Sequence, residues 1–167
     1  RSAVAREHRL KEALKRMAAP PKFTIIDCPP SLGLLTINAL SSAQATLIPL
    51  QCEYYALEGL SQLNRTVKLI QRRLNPALRI EGILLTMFDT RNNLSHQVAA
   101  EARKHFGSLV FDVVIPRNVR LSESPSFGKA IYHYDRSSRG ARAYANLARI
   151  LIDRHGAHHS TQGITHP

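Results

Sequence analysis

The sequence predicts an α/β fold, a parallel sheet with helices on both faces. Short apolar runs of strand length alternate along the chain with longer segments whose apolar residues recur every three or four positions. One apolar run, Phe23-Thr24-Ile25-Ile26, ends in a single aspartate, Asp27, and then breaks on Pro29 and Pro30. A buried strand of a parallel sheet delivers a polar residue to its C-terminal lip in this way. No internal repeat is visible.

The elements follow in order. Residues 3–17 carry Leu10, Ala13, Leu14 and Met17 at helical spacing, and Pro20-Pro21 stops the helix. Residues 22–28 are β-branched and apolar between prolines and read as a buried strand; residues 33–42 read as a helix. Residues 45–51 make the next strand. In residues 56–74, Leu57, Leu60, Leu63, Val67, Ile70 and Leu74 step by threes and fours until Asn75-Pro76 ends the helix. Residues 79–88 make a third strand, and residues 95–106 a helix with Ser95 as its cap and Gly107 as its stop. A fourth strand spans 109–115, closed by Pro116. The last helix, 138–154, lays Ala141, Tyr144, Ala145, Leu147, Ala148, Leu151 and Ile152 along one stripe. One domain over residues 1–154 is expected, followed by a disordered polar tail over residues 155–167.

The 167 residues, 44% hydrophobic and 21% charged, suit one soluble globular domain. No apolar stretch nears the roughly 20 residues of a spanning helix. With no signal-peptide pattern either, a cytoplasmic location without membrane attachment is the expectation. Cys28 and Cys52 are too few for a structural zinc site and read as reduced, packed thiols. The net charge of +11 favours a polyanionic partner or an acidic surface. Basic residues gather in 1–22, 65–79 and 117–142, where a solvated face explains any one cluster equally well. His155, His158, His159 and His166 read as part of the solvated tail. No Ser-His-Asp, Cys-His or paired-carboxylate pattern points to acid–base or nucleophilic chemistry.

The segment Asp27-Cys28-Pro29-Pro30-Ser31-Leu32-Gly33 is more particular than a turn cap requires. The prolines stiffen the exit, Ser31 offers a hydroxyl, and Gly33 permits close approach to a phosphate or its attacking water. A magnesium-linked role for Asp27 follows, against the plainer reading of a carboxylate that caps the next turn.

Residues 23–33 and the stretch Ile48-Pro49-Leu50-Gln51-Cys52-Glu53-Tyr54-Tyr55-Ala56-Leu57-Glu58-Gly59-Leu60 carry a resemblance, as do residues 85–93 and Ile115-Pro116-Arg117-Asn118-Val119-Arg120-Leu121-Ser122-Glu123-Ser124-Pro125-Ser126-Phe127-Gly128. In collinear order these motifs closely resemble the ParA/Soj chromosome-partitioning ATPases, from about residue 6 to residue 152. The resemblance implies a deviant Walker-type P-loop NTPase that uses ATP and Mg2+ and forms an ATP-dependent sandwich homodimer. It implies non-specific binding to DNA on the nucleoid and stimulation by a ParB-type partner. Asp27 matches the Walker B aspartate, which orients magnesium through its water shell. Pro29, Pro30, Ser31 and Gly33 fall in the switch that senses the γ-phosphate. Met87, Pro116, Arg117 and Asn118 lie where the family places the adenine base, Asn118 offering an amide to its edge. Arg91 and Arg120 match DNA-binding arginines; the other reading is a pair of loop arginines bonding local carbonyls. Lys68, Arg72 and Arg73 extend the basic surface or form a solvated helix face, and residues 53–59 fall near the dimer interface.

The family's Lys-Gly-Gly-x-Gly-Lys-[Ser/Thr] loop and its switch aspartate are not in this sequence, which is similar to the C-terminal two-thirds of a member, lacking the N-terminal P-loop strand. Without that loop's backbone N–H groups there is no phosphate cradle, so no catalytic residue is expected here. Exposed apolar edges are expected where the P-loop strand would pair. The readings that stand are an incomplete partitioning ATPase, a catalytically inactive DNA- or partner-binding fragment, and a MinD-like membrane ATPase. The polar tail argues against the last, whose family ends in a basic amphipathic helix.

Overall fold

The computed structural model describes residues 6–29, 31 and 33–156. A 3-10 turn at Arg6–His8 leads into α1 (Arg9–Lys15), then α2 (Leu34–Ser42), β1 (Ala45–Gln51), α3 (Ala56–Arg73), β2 (Arg79–Thr86) and α4 (Asn93–Phe106). After them come α5 (Val119–Glu123), α6 (Ile131–Tyr134) and α7 (Arg139–Gly156). β1 and β2 are hydrogen-bonded neighbours. The backbone N of Arg79 donates to Gln44 at 3.1 Å and that of Cys52 to Thr86 at 3.1 Å, so the strands advance together as a parallel pair. The chain divides into two compact units, Arg1–Ile48 with Leu57–Ile83, and Pro49–Ala56 with Leu84–Pro167.

In the first unit, the three-four spacing of α3 buries Leu60, Val67 and Ile70. Val67 and Ile70 pack with Leu40 of α2 and with Leu78, flanked by Ile37, Leu63, Leu74 and Ile80. The helix stops where Asn75 turns inward: its side-chain amide donates to the carbonyls of Leu40 (2.9 Å) and Ala43 (2.7 Å), satisfying acceptors at the end of α2. Asn38 ties the N-terminal helical segment to α2, donating to the Arg6 carbonyl at 2.8 Å and accepting from the Leu10 N–H at 3.3 Å.

In the second unit, α4 buries Ser95, Val98, Ala99 and Ala102 and ends at Gly107, whose φ of 53° suits glycine. α7 buries Gly140, Ala141, Ala143 and Leu147. A Cβ at Gly140 would fall 2.6 Å from Cγ of Leu121, so α5 and α7 approach at a point where only glycine fits without a shift. In β2, Ile83, Leu84 and Leu85 are all buried, the continuous pattern of a strand covered on both faces.

Several sequence expectations are corrected. Residues 22–28 form no strand: they are irregular, and Ile25 is 93% exposed and Phe23 44%. An apolar run becomes a strand only by joining a ladder, and this one joins none among the described residues. Residues 109–115 form no strand either: Leu109 closes a 3-10 turn, Val110 is a single bridge residue, residues 111–115 are irregular, and Phe88 pairs with Pro116 in an isolated parallel bridge. Cys52 is buried as expected, whereas Cys28 is exposed; both are free thiols. Burial pushes the Cys52 thiol up, and partial desolvation with the adjacent Asp27 charge raises the exposed Cys28 thiol. The cap of α4 is Asn92, whose Oδ1 accepts from the Leu94 N–H at 2.9 Å. Ser95 is buried inside the helix instead. α7 runs through His155 and Gly156, and the remainder of the expected tail lies outside the described residues.

Candidate functional site

The site lies where β2 ends, within the second unit. Ile115 N donates to Leu85 O (2.8 Å), Phe88 N to Ile115 O (3.1 Å) and Arg117 N to Phe88 O (3.0 Å), which locks Pro116-Arg117 beside the strand exit. Met87 takes φ 53°, a left-handed conformation that costs a non-glycine residue about 1–2 kcal/mol and turns the chain out of the strand. The loop that follows is closed on itself. Asn92 N donates to Asp89 O at 3.0 Å, Asp89 N to Ser95 Oγ at 3.3 Å, and the His96 ring meets the Thr90 carbonyl at 3.0 Å and the Phe88 ring edge-on at 5.2 Å.

Phe88, Asp89, Thr90, Arg91, Pro116, Arg117 and Arg139 line a cleft of ≈ 360 Å³. Its charge is uneven, three guanidinium groups against one carboxylate. Asp89 accepts from Arg91 at the backbone N (3.0 Å), Nε (3.1 Å) and Nη2 (3.0 Å). These bonds hold the Asp89 carboxyl down to about 2 and push the Arg91 guanidinium up. Arg117 and Arg139 make no ion pair with a described residue. The cleft thus unites Pro116 and Arg117, expected at a nucleotide base, with Arg91, expected at DNA.

The other expected residues stand apart from that lining. Arg120, on α5, donates to Glu123 at 2.9 Å and lies 3.5 Å from Asp135. Tyr134 also donates to Glu123, at 3.0 Å. The Arg120 and Tyr134 bonds lower the Glu123 carboxyl, and Arg120 is raised in turn. Both arginines are engaged by nearby carboxylates and not by the local carbonyls of the plainer reading. Asn118 precedes α5, and its Oδ1 is buried without a hydrogen-bond partner. An unpaired buried amide costs roughly 1–3 kcal/mol, so this atom suits an N–H from a ligand such as a nucleotide base.

Asp27 is exposed, as are Pro29, Ser31 and Gly33; Pro30 lies outside the described residues. Ser31 contributes its carbonyl, which accepts from Thr36 Oγ1 at 2.6 Å, and Gly33 begins α2 with φ −80°, a conformation open to any residue. Among the described residues no group of three or more His, Cys, Asp or Glu could hold a metal ion. The described residues do not gather three such ligands around Asp27, which would reach magnesium through water. Nor, among them, is any helix long and apolar enough to cross a membrane.

Sequence reasoning missed Asp89 and Arg139. Asp89 was legible as a side chain two residues before Arg91, the spacing of an Asx turn. Arg139 was legible as a cation at the first position of a helix, where the dipole disfavours positive charge.

A family model described as an AAA domain matches residues 1–80. The chain is 60% identical over 149 residues to a chromosome partitioning protein ParA of Myxococcus xanthus, covering 89% of this chain and 53% of that protein. It is 59% identical over 146 residues to the sporulation initiation inhibitor protein Soj of Bacillus subtilis, covering 87% and 58%. It is 51% identical over 151 residues to a chromosome-partitioning ATPase Soj of Treponema pallidum, covering 90% and 60%. The chain therefore spans a little over half the length of these relatives, less than the two-thirds expected. Among solved structures, cobyrinic acid a,c-diamide synthase of Mycobacterium smegmatis with bound ADP and magnesium aligns with a TM-score of 0.76 at 34% identity, over 98% of this chain and 59% of that one. The septum site-determining protein MinD of Pyrococcus horikoshii, complexed with Mg-ADP, aligns with a TM-score of 0.73 at 23% identity, over 90% and 58%, which shows a shared fold alone. The parallel sheet with its helices, the ordered motifs and these identities agree: over nearly nine-tenths of its length the chain is similar to the ParA/Soj chromosome-partitioning proteins.

Proposed function

We propose that this chain serves as part of a ParA-type partitioning ATPase and contributes its DNA-contacting edge. The complete protein binds ATP and Mg2+, dimerises when ATP is bound, coats the nucleoid through non-specific DNA contacts, and is stimulated to hydrolyse ATP by a ParB-type partner. The observation that carries the DNA reading is the arginine-rich cleft at the end of β2, on a chain with 59% identity to Soj. Guanidinium groups on exposed loops bind phosphodiesters through charge-assisted bonds without reading sequence. Arg91 is the principal contact, and Arg120 contributes where a phosphate competes with Glu123 and Asp135.

ATP, when bound, supplies a γ-phosphate whose hydrolysis resets the dimer. The residues of this chain that would hold the base are Met87 and Pro116 as apolar contacts, Arg117 beside them, and Asn118 through its unpaired amide. Asp27, with the switch residues Pro29, Pro30, Ser31 and Gly33, would serve the magnesium and γ-phosphate end once a P-loop stands beside them. A catalytically inactive binding fragment is the second reading, favoured by the solitary, exposed Asp27.

Titration of a random-sequence duplex with this chain at a series of salt concentrations tests the proposal. Arg91→Ala with Arg120→Ala is expected to weaken binding and to flatten the salt slope by about 0.9 for each phosphate that is no longer neutralised. Unchanged affinity and slope would reject the assigned surface. Binding that appears only when a P-loop segment and ATP are supplied identifies the switch; binding without them identifies the module.

A further inference from the structure

We infer that Asp89 is a latch on the cleft: it holds Arg91 in place of a phosphate and lowers the affinity of the resting cleft for DNA. The inference rests on the reading that this cleft meets DNA. Arg91 has its side chain 86% exposed, so no burial demands that its charge be neutralised, yet Asp89 engages it through the backbone N, Nε and Nη2 at 3.0–3.1 Å. Asp89 itself is anchored from behind, with its backbone N on Ser95 Oγ and its carbonyl on Asn92 N. The carboxylate is thus the fixed half of the pair and the arginine the movable half.

The same cleft holds Arg117, whose charge also acts on Asp89, and Arg139, which sits on the first residue of α7 against the positive end of the helix. Arg139 draws a phosphate in. Arg91 is released only when that phosphate replaces Asp89, offering paired oxygens to the same guanidinium fork. Asp89 offsets the charge of Arg91 for as long as it holds it, which leaves DNA attachment weak enough to reverse.

Duplex binding by the full chain and its variants tests the latch. Asp89→Asn is expected to raise affinity about two- to fivefold at fixed salt, the range of an exposed ion pair. Asp89→Ser, which keeps a short acceptor for the Arg91 N–H, should give the same gain and guards against a disturbed turn. In the Arg91→Ala background the Asp89→Asn gain should fall to near unity. An equal gain in both backgrounds would reduce Asp89 to a diffuse negative charge, and a loss of affinity in both Asp89 variants would make it a support for Arg91; either overturns the latch. Binding that Arg91→Ala leaves intact overturns the latch together with the DNA surface, whereas binding sensitive to Arg91 but indifferent to Asp89 overturns the latch alone.

Discussion

Residues 23–28 and β2 are the same kind of sequence, apolar and β-branched, and they end differently. Ile25 is 93% exposed and Ile83 fully buried. β2 is bonded on both edges, to β1 through Cys52 N and Thr86 O and on the other side through Ile115 N and Leu85 O. The earlier run finds no ladder among the described residues. The carboxylates that follow share the contrast: Asp27 is exposed and belongs to no group of three or more ligand residues among the described residues, while Asp89 is anchored and engaged by Arg91. Strand propensity reports fitness for a pleated surface, and pairing partners decide whether one forms.

The largest test of this contrast is stability. Ile83→Ala should cost about 2–5 kcal/mol, the range for a buried large-to-small change. Ile25→Ala should stay within about 0.5 kcal/mol, as exposed positions do. Urea unfolding of the two variants followed by circular dichroism reads both. Comparable losses would break the contrast by showing that the 23–28 run packs in solution.

A smaller difference is expected at the helix starts beyond each run. α4 has a side-chain cap from Asn92, while α2 begins at Gly33 with none. Asn92→Ala should cost about 1 kcal/mol. Gly33→Asn should cost nothing and gain a few tenths, because φ is −80° and a Cβ there meets only Ser31 Oγ at 3.8 Å. A loss at Gly33 would show that the 31–33 segment is more constrained than its exposure indicates.

Periodicity located α3 and its stop at Asn75-Pro76, and the alternation of apolar runs and helices placed β1 and all of β2, overshooting its end by Met87 and Phe88. Those elements are set by local pattern and by burial on the segment's own face. Residues 22–28 were misread because a ladder partner is not encoded in the strand that needs it. α5 and α6, at Val119–Glu123 and Ile131–Tyr134, are too short to repeat a helical period even twice. In the site, the motifs marked Arg91, Pro116 and Arg117, which the fold does bring into one cleft. They assigned Pro116 and Arg117 to a base-binding set and Arg91 to a DNA-binding set, and all three line this cleft. Arg139 escaped notice because it arrives from a helix distant in sequence, and Asp89 because its role lies in the rotamer of its neighbour.

The smallest effect is electrostatic and confined to the ordered edge. Arg91 holds the Asp89 carboxyl at about 2, below its ordinary value of 3.8. A depressed carboxylate contributes stability that is fully present above the unfolded value, and that contribution is lost as pH falls through the folded one. The Asp89–Arg91 pair should therefore be intact from neutrality down to about pH 4 and should dissolve only near pH 2, leaving the loop unchanged across the physiological range. Carbon-detected NMR titration of the Asp89 carboxyl checks this: a midpoint near 2 in the parent chain, rising toward 3.8 in Arg91→Ala. A parent midpoint already near 3.8 would mean that Arg91 spends its time away from Asp89 in solution. The ordered edge would then be less built than its hydrogen bonds show, and closer in character to the exposed Asp27 segment.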